Sequence, residues 1–426
     1  MAALRTLLIA ENLPYPSFKG GDLRNWQNVN ALMEIGEVGV FGLCSNDTRR
    51  DEVPRPALAF WRSSADPGLA FPPPEDRKLA ARGWFLSATG HPADSYYSST
   101  AAAEIEDTIS EFDPHVVVVE RLWLHRYIDH AKRLNRRIVL DSHNVEASLY
   151  RQIADSIDGD DLPARLMRDA LPARTELIER QALRSADQVW VCSDEDEQLI
   201  RSLYGTPAPI HVVPNGLDVD SYDAARTRRY ALPKAVHPNG KRVIFPAMFG
   251  YSPNAKAADF LIEEVFPRLA AANEDCQLLL VGGMPTLKML DGAKNEGRIL
   301  VTGAVTDVRP YIAAASAMVV PLLEGSGTRF KILEAFAAKV PVISTAKGAQ
   351  GLQVKDGHHL LIAETAGEFI AAVKELWTDE RLVKKLTEGA LQLVKEHYSW
   401  RVASRSIEKA IHELGEMRSS TRNHCA

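Results

Sequence analysis

Short apolar runs rich in β-branched residues alternate along the chain with longer stretches whose apolar positions recur at helical spacing. Such alternation predicts parallel sheets built from strand–helix–strand units. The first half carries strand-like runs at TLLIA (6–10), VGVFGL (38–43), VVVVE (116–120), RIVLD (137–141), QVWVCS (188–193) and IHVVPN (210–215). The second half repeats the theme at RVIFPA (242–247), QLLLVGG (277–283), RILVTG (298–303), MVVPL (318–322), VPVIST (340–345) and LLIA (360–363). Two sets of six predict two similar doubly wound α/β domains. The polar, turn-rich stretch 215–241 predicts the connection between them. Segment 51–80, with FPPPEDRK, reads as a loop-rich insertion, and 151–186 as mostly helical, with Glu176 and Arg180 paired four residues apart. Residues 399–416 predict one amphipathic terminal helix, with 417–426 fraying.

Length agrees with this division, since 426 residues exceed one comfortable core and suit two domains at roughly 150 residues each. The net charge of −6 argues against a general nucleic-acid binder, which needs a basic surface. Four cysteines, Cys44, Cys192, Cys276 and Cys425, show no paired spacing, so neither a zinc site nor a disulfide framework is expected and a reducing cytoplasm fits. The opening MAALRTLLIAENLPYP reads as a first strand and not a secretory signal, and no run approaches the roughly 20 apolar residues of a membrane span. The arginines scattered through 151–186 admit peripheral contact with an anionic membrane face, against the plainer reading of a solvated helix.

Candidate chemistry concentrates in EGSGTRFKILEA (324–335), which follows the run MVVPL. In open parallel sheets ligands bind beyond the carboxyl ends of strands. Gly325 and Gly327 admit close backbone approach, Ser326 and Thr328 supply hydroxyls, and Arg329 and Lys331 bring charge to the positive end of a helix opening near Lys331. Together they describe a cradle for a diphosphate. Glu334, one turn on, can reach a ribose diol; the competing account is a capped helix with Glu334 in solvent. In the first half, Gly20 and Gly21 of YPSFKGGDLRN can turn amides toward a phosphate with Arg24 one turn behind, or can simply make a tight turn. The DGDD at 158–161 has metal-holding spacing but lies in a polar connection, so no metal is expected.

The wider text PLLEGSGTRFKILEAFAAKVPVISTAKGAQGL resembles the donor-binding signature of the group-one (family four) glycosyltransferases. FGYSPNAKAADFLIEEVFPRL, LLLVGG, VTGAVTDVRPYIAAAS, SDEDEQLI and VVPNGLDVD continue the likeness, which covers most of 188–375. The resemblance implies the GT-B fold, two Rossmann-like domains facing a cleft: an acceptor-side domain over 1–217, joined by the terminal helix 399–426, and a donor-binding domain over 218–398. It implies a retaining, metal-independent transfer of sugar from a nucleoside diphosphate sugar, UDP- or GDP-linked, to a hydroxyl acceptor, with no permanent cofactor, in bacterial glycan synthesis. Oligomeric state is left open.

By the same resemblance Gly250, Gly283, Gly303, Val305, Ile332 and Leu333 join Gly325 to Thr328 and Glu334 at the nucleotide. His143, directly beyond RIVLD, takes the place of a histidine near the transferring sugar, and Glu120 and Arg121 stand on a comparable rim as candidates to face the acceptor. Two departures stand out. The residue eight before Glu334 is Ser326, where many relatives carry a first glutamate, and Glu324 lies ten before. The segment after the first strand of the second domain holds Asn254 and Lys256 but no arginine, so Arg329 and Lys331 are expected to carry most of the positive charge. A sugar-nucleotide epimerase of the same fold and a non-catalytic nucleotide-binding scaffold are the rival readings.

Overall fold

A computed structural model describes residues 4–15, 20–44, 58–66, 90–155, 157, 162–205, 208–324 and 329–422. Gly325, Ser326, Gly327 and Thr328 lie outside the described residues, as do 158–161 and the greater part of 51–80. The chain divides into two compact units, one of residues 1–214 and 401–426, the other of residues 215–400.

The first unit is built on a seven-stranded parallel sheet: β1 (Leu4–Asn12), β2 (Gly36–Cys44), β3 (Leu58–Ser63), β4 (Val116–Glu120), β5 (Arg137–Asp141), β6 (Gln188–Val191) and β7 (Ile210–Val212). Their order in the sheet is β3-β2-β1-β4-β5-β6-β7. The inner strands read as unbroken apolar runs because helices cover both faces of a parallel sheet. Leu7, Leu8, Ile9, Val117, Val118 and Val119 are each 0% exposed. Burying each such side chain stabilises the fold by about 1.5–3 kcal/mol relative to leaving it in water. Within the stretch 51–80, read as a loop-rich insertion, the edge strand β3 was not expected; it pairs parallel with β2. The helix Trp400–Arg422 also belongs to this unit and runs past the boundary expected at residue 416. Gln188 Nε2 donates to the carbonyl of Ala410 in that helix over 2.8 Å.

The second unit carries a six-stranded parallel sheet of β8 (Arg242–Pro246), β9 (Gln277–Val281), β10 (Ile299–Val301), β11 (Ala317–Val320), β12 (Val342–Ser344) and β13 (Leu361–Ile362), in the order β10-β9-β8-β11-β12-β13. Both sheets thus have the doubly wound order in which strand direction of growth reverses once, between β1 and β4 and between β8 and β11. A crevice at the carboxyl ends of the strands is expected at each reversal. Residues 247–254 and 321–331 flank the reversal in the second unit, whereas Glu11, Asn12, Glu120 and Arg121 flank it in the first.

Candidate functional site

In the second unit, β11 is followed by Pro321–Glu324, the segment 325–328, and the helix Phe330–Ala337. Arg329 stands at the N-cap position in extended conformation, and its side chain does not cap the helix. The positive end of the helix dipole lies at this start, beyond the carboxyl end of β11. Phe330, Ile332, Leu333 and Phe336 anchor this short helix in the core, Ile332 and Leu333 at 0% exposure. Those two residues can offer a ligand only backbone. Their job in the fold is to hold the helix start still.

Lys331 is part-buried, with its Nζ 4.2 Å from the centroid of the Phe245 ring and 3.2 Å from Asn254 Oδ1. Burial, with Arg329 nearby, pulls its ammonium down to about 7, although Glu334 acts in the other direction. A cation held this close to neutrality is short of negative partners. Lys347, just beyond β12, is pulled down as well, by burial and by the same Arg329. Sequence reasoning missed Lys347. Its place directly past the strand run VPVIST was the available signal.

Glu334 is neither solvated nor loose. Tyr222 donates its hydroxyl to Glu334 Oε1 over 2.7 Å, and burial pushes the carboxyl up to about 7. Tyr222 comes from the short helical turn Val219–Tyr222, 6% exposed, inside the stretch read from sequence as a connection. Arg226, a few residues on, donates to the carbonyl of Ala337 at the far end of the same helix over 3.1 Å. The middle and the carboxyl end of the helix bearing Lys331 and Glu334 are thus gripped from 219–226. Tyr222→Phe removes the hydroxyl bond to a carboxylate, an interaction of about 1.5–3 kcal/mol. The expected outcome is weaker binding of a nucleoside diphosphate, by about tenfold or more, measured by calorimetry; an unchanged constant would show that Glu334 needs no such support.

Gly250, Gly283 and Gly303 fall just beyond β8, β9 and β10, with Val305 two residues further on. They form a row across neighbouring strands of the same rim, and the amide of Phe249 donates to the carbonyl of Gly283 over 2.9 Å. The neighbouring Gly282, with φ +144, is the position that admits no side chain: a Cβ there would lie 1.9 Å from the Ala247 carbonyl oxygen. Met248 and Met284, at 37% and 41% exposure, give this rim an apolar surface. On the other side of Asn254, Lys256 pairs with Glu324 at 2.8 Å, at the wall of a cavity of about 100 Å³ lined also by Pro253, Leu323 and Thr345. Lys256 is therefore engaged, and Glu324 is spent on it.

The first unit gathers a buried ionic network at its own rim. Arg24 is 1% exposed and donates to Asp141 from Nη2 at 2.6 Å and from Nε at 3.1 Å, and from Nη1 to the carbonyl of Val213 at 2.8 Å. Burial opposes its charge, yet Asp141 more than compensates and the guanidinium stays above its usual range. This corrects the expectation that Arg24 faces an anionic ligand: its fork is closed on a carboxylate from β5. Gly20 and Gly21 form the first turn of the helix Gly20–Met33, and a Cβ on Gly21 would stand 2.6 Å from Arg121 Nη2. That glycine makes room for a protein cation.

His143 lies between two carboxylates, its Nε2 3.2 Å from Asp141 Oδ2 and its Nδ1 4.0 Å from Glu120 Oε1. Glu120 is 1% exposed and accepts from Arg121 Nε and from the Glu11 amide, each at 2.8 Å. It is an interior group and not an acceptor-facing surface. Arg121 keeps 22% of its side chain exposed and reaches its carboxylates from a backbone at φ 58, a conformation costing roughly 1–3 kcal/mol for a side-chain-bearing residue. Asp141, missed by sequence reading, is the hub joining Arg24, Asn28 and His143.

Among the described residues there is no cluster of His, Cys, Asp and Glu suited to a metal ion, and no helix long and apolar enough to cross a membrane. A family model described as glycosyl transferase 4-like domain matches residues 43–216, and one described as glycosyl transferases group 1 matches residues 240–379. The chain belongs to the group-one glycosyltransferases. No curated protein sequence matches this glycosyltransferase closely. Solved structures do. Sucrose-phosphate synthase from Thermosynechococcus elongatus is 17% identical, covering 97% of this chain and 100% of its own, with a TM-score of 0.71. Anabaena HepE, solved with UDP and glucose, is 12% identical over 95% of this chain and 99% of its own, with a TM-score of 0.68. Trehalose 6-phosphate synthase from Burkholderia multivorans is 12% identical over 99% and 100%, with a TM-score of 0.66. At such identities the likeness shows the fold, which is the two-domain α/β GT-B architecture of these enzymes.

Proposed function

We propose that this glycosyltransferase is a retaining, metal-independent enzyme that takes a hexose or related sugar from a UDP-sugar to a hydroxyl acceptor. One observation carries the reading. Lys331, Arg329 and the start of the helix Phe330–Ala337 meet at the strand-order reversal of the second unit, where burial and Arg329 outweigh Glu334 and lower the Lys331 ammonium to about 7. A diphosphate supplies the negative charge that favours the ammonium. Glu334, one turn beyond Lys331 and fixed by Tyr222, accepts from the ribose hydroxyls, and the apolar rim of Met248 and Met284 beside Gly283 and Gly250 suits a flat base. Uracil is preferred to guanine because the structural neighbour HepE was solved with UDP.

In the reaction the bond from the anomeric carbon to the phosphate oxygen breaks, and a bond from the same face of that carbon to the acceptor oxygen forms. The acceptor proton passes to the departing phosphate oxygen, so no protein nucleophile is required. Charge grows on the diphosphate as the sugar becomes oxocarbenium-like, and preorganised cations and amides lower the barrier there. That is the role of Arg329, Lys331, the segment Gly325 to Thr328 and the helix start. Lys347 adds a third positive charge to the same wall. His143, held by Asp141 and Glu120, and the partly exposed Arg121 belong to the acceptor side, at the rim of the first unit.

The test has two readings. Incubated with a panel of nucleotide sugars and acceptors, the enzyme is expected to release UDP only when an acceptor hydroxyl is present, with the product retaining the donor's anomeric configuration by proton NMR. Release of an epimerised free sugar nucleotide, or of an inverted product, overturns the assignment. Addition of a chelator is expected to leave the rate unchanged, and a loss restored by magnesium or manganese would remove the metal-independent part.

A further inference from the structure

Among the described residues, Asn254 Oδ1 is the one hydrogen-bond acceptor within reach of the Lys331 ammonium. An ammonium has three protons and accepts nothing, so any partner must present an oxygen. The other close neighbour is the face of Phe245, attractive to a cation but unable to take a proton fully. Which end of the Asn254 amide faces the lysine is fixed by its other bond. Its Nδ2 donates to the carbonyl of Met248 over 2.9 Å, and a carbonyl can only accept. The oxygen is left pointing at Lys331. The local chain dictates this arrangement: Pro253 lies in the first turn of the helix Ser252–Phe260, the backbone N–H of Asn254 donates to the carbonyl of Tyr251 over 3.0 Å, and the side chain is turned back over the loop leaving β8.

We propose that Asn254 is a positioning residue, which holds the Lys331 side chain across the strand-order reversal so that its remaining protons face the donor's diphosphate. The inference rests on the proposed reading in which Lys331 meets that diphosphate. In this chain the loop after β8 has no arginine to grip the phosphates directly. It acts instead through a neutral amide, which orients the cation supplied by the helix Phe330–Ala337 without competing with the ligand for charge. A carboxylate in the same place would saturate Lys331 and repel the phosphates.

The charged groups around Lys331 are few, and each has a known direction. On its own element Arg329 disfavours its charge and Glu334 favours it. From the helix carrying Asn254, Lys256 is bound to Glu324; from the loop after β12, Lys347 adds to the positive side near Arg329. Phe245 on β8 is neutral. With an ammonium near 7 in the empty site, UDP affinity should fall as pH rises through that value. Asn254 contributes to where this alkaline limb lies.

The experiment measures UDP binding to the full chain by calorimetry across pH, for the parent, Asn254→Leu, Asn254→Asp and Lys331→Met, with melting curves as the control for folding. Asn254→Leu is expected to move the alkaline midpoint down, and Asn254→Asp to move it up, each by about one pH unit. At a pH one unit above the parent midpoint the Leu variant then binds about tenfold more weakly than the parent. Opposite shifts from one position cannot come from a general loss of packing. Equal weakening at every pH in both variants, or no shift in either, overturns the proposal. If Asn254→Leu fails to fold, the upward shift in Asn254→Asp decides alone. Lys331→Met separates the two layers: binding unchanged in that variant removes the underlying reading, whereas weakened binding there with unmoved midpoints in the Asn254 pair removes only the role of Asn254.

Discussion

Arg329→Ala and Lys331→Met each lower turnover by about 10²–10³-fold, the usual effect of removing one preorganised donor from a developing anion, yet they part company on stability. Lys331 is held near 7 when folded against an ordinary 10.5. Between those values the unfolded chain binds more protons than the folded one, so this group makes stability rise with pH across that window. Below about 7 the native state carries a part-buried, under-compensated ammonium, and the cost is complete. Replacing it with methionine removes the cost while keeping the aliphatic stem against Phe245. The variant should therefore melt higher than the parent, most clearly at about pH 6 and hardly at all near pH 10. Arg329→Ala should leave the melting temperature closer to the parent's, because its charge opposes those of Lys331 and Lys347 and its removal relieves both. Melting curves and initial rates on the same preparations check both halves. A Lys331→Met protein that is less stable and equally active would mean that the cation serves the fold and no ligand.

The same contrast explains what the sequence could and could not disclose. All twelve strand runs expected from the sequence appear as strands, the inner ones most plainly because a parallel strand buried on both faces has no polar alternation to hide it, as Val116–Glu120 shows. β3 escaped notice for the opposite reason. It is an edge strand whose residues are only partly buried, set in a proline-rich neighbourhood, so no apolar run announces it. At the site, Arg329, Lys331 and Glu334 were legible because they are neighbours in sequence: Arg329 stands at the N-cap, and Lys331 and Glu334 are one turn apart on the helix that follows. Their supports were not. Tyr222 is 112 positions from Glu334, and Asn254 is 77 from Lys331, separations over which composition and periodicity carry no information. The glycines after β1 drew attention for a sound reason, close approach of a cationic or anionic group, but the visitor is the guanidinium of Arg121. The segment Gly325 to Thr328, central to the sequence reading, keeps its proposed role on the strength of what brackets it: Glu324 on one side and Arg329 on the other.

Arg24→Leu should destabilise the protein by about 3–5 kcal/mol, the cost of leaving the partner of a buried ion pair alone. Asp141 is 0% exposed, and without the guanidinium only the Asn28 amide at 2.8 Å and His143 at 3.2 Å remain to it, while the Val213 carbonyl loses its donor. The dependence on pH has a definite sign. Burial alone would raise the Asp141 carboxyl, but Arg24 and His143 hold it well below the usual carboxylate range. A depressed carboxylate contributes stability that is present above its unfolded value and is lost as pH falls through the folded one. The gap between parent and variant should therefore be widest near neutrality and shrink in acid, as urea melts at several pH values will show. The double variant Arg24→Leu with Asp141→Leu should recover part of the loss, since it removes the stranded charge. If instead Arg24→Leu keeps parental stability and loses only turnover, the guanidinium reaches a ligand after all, and the closed fork on Asp141 is not its working state.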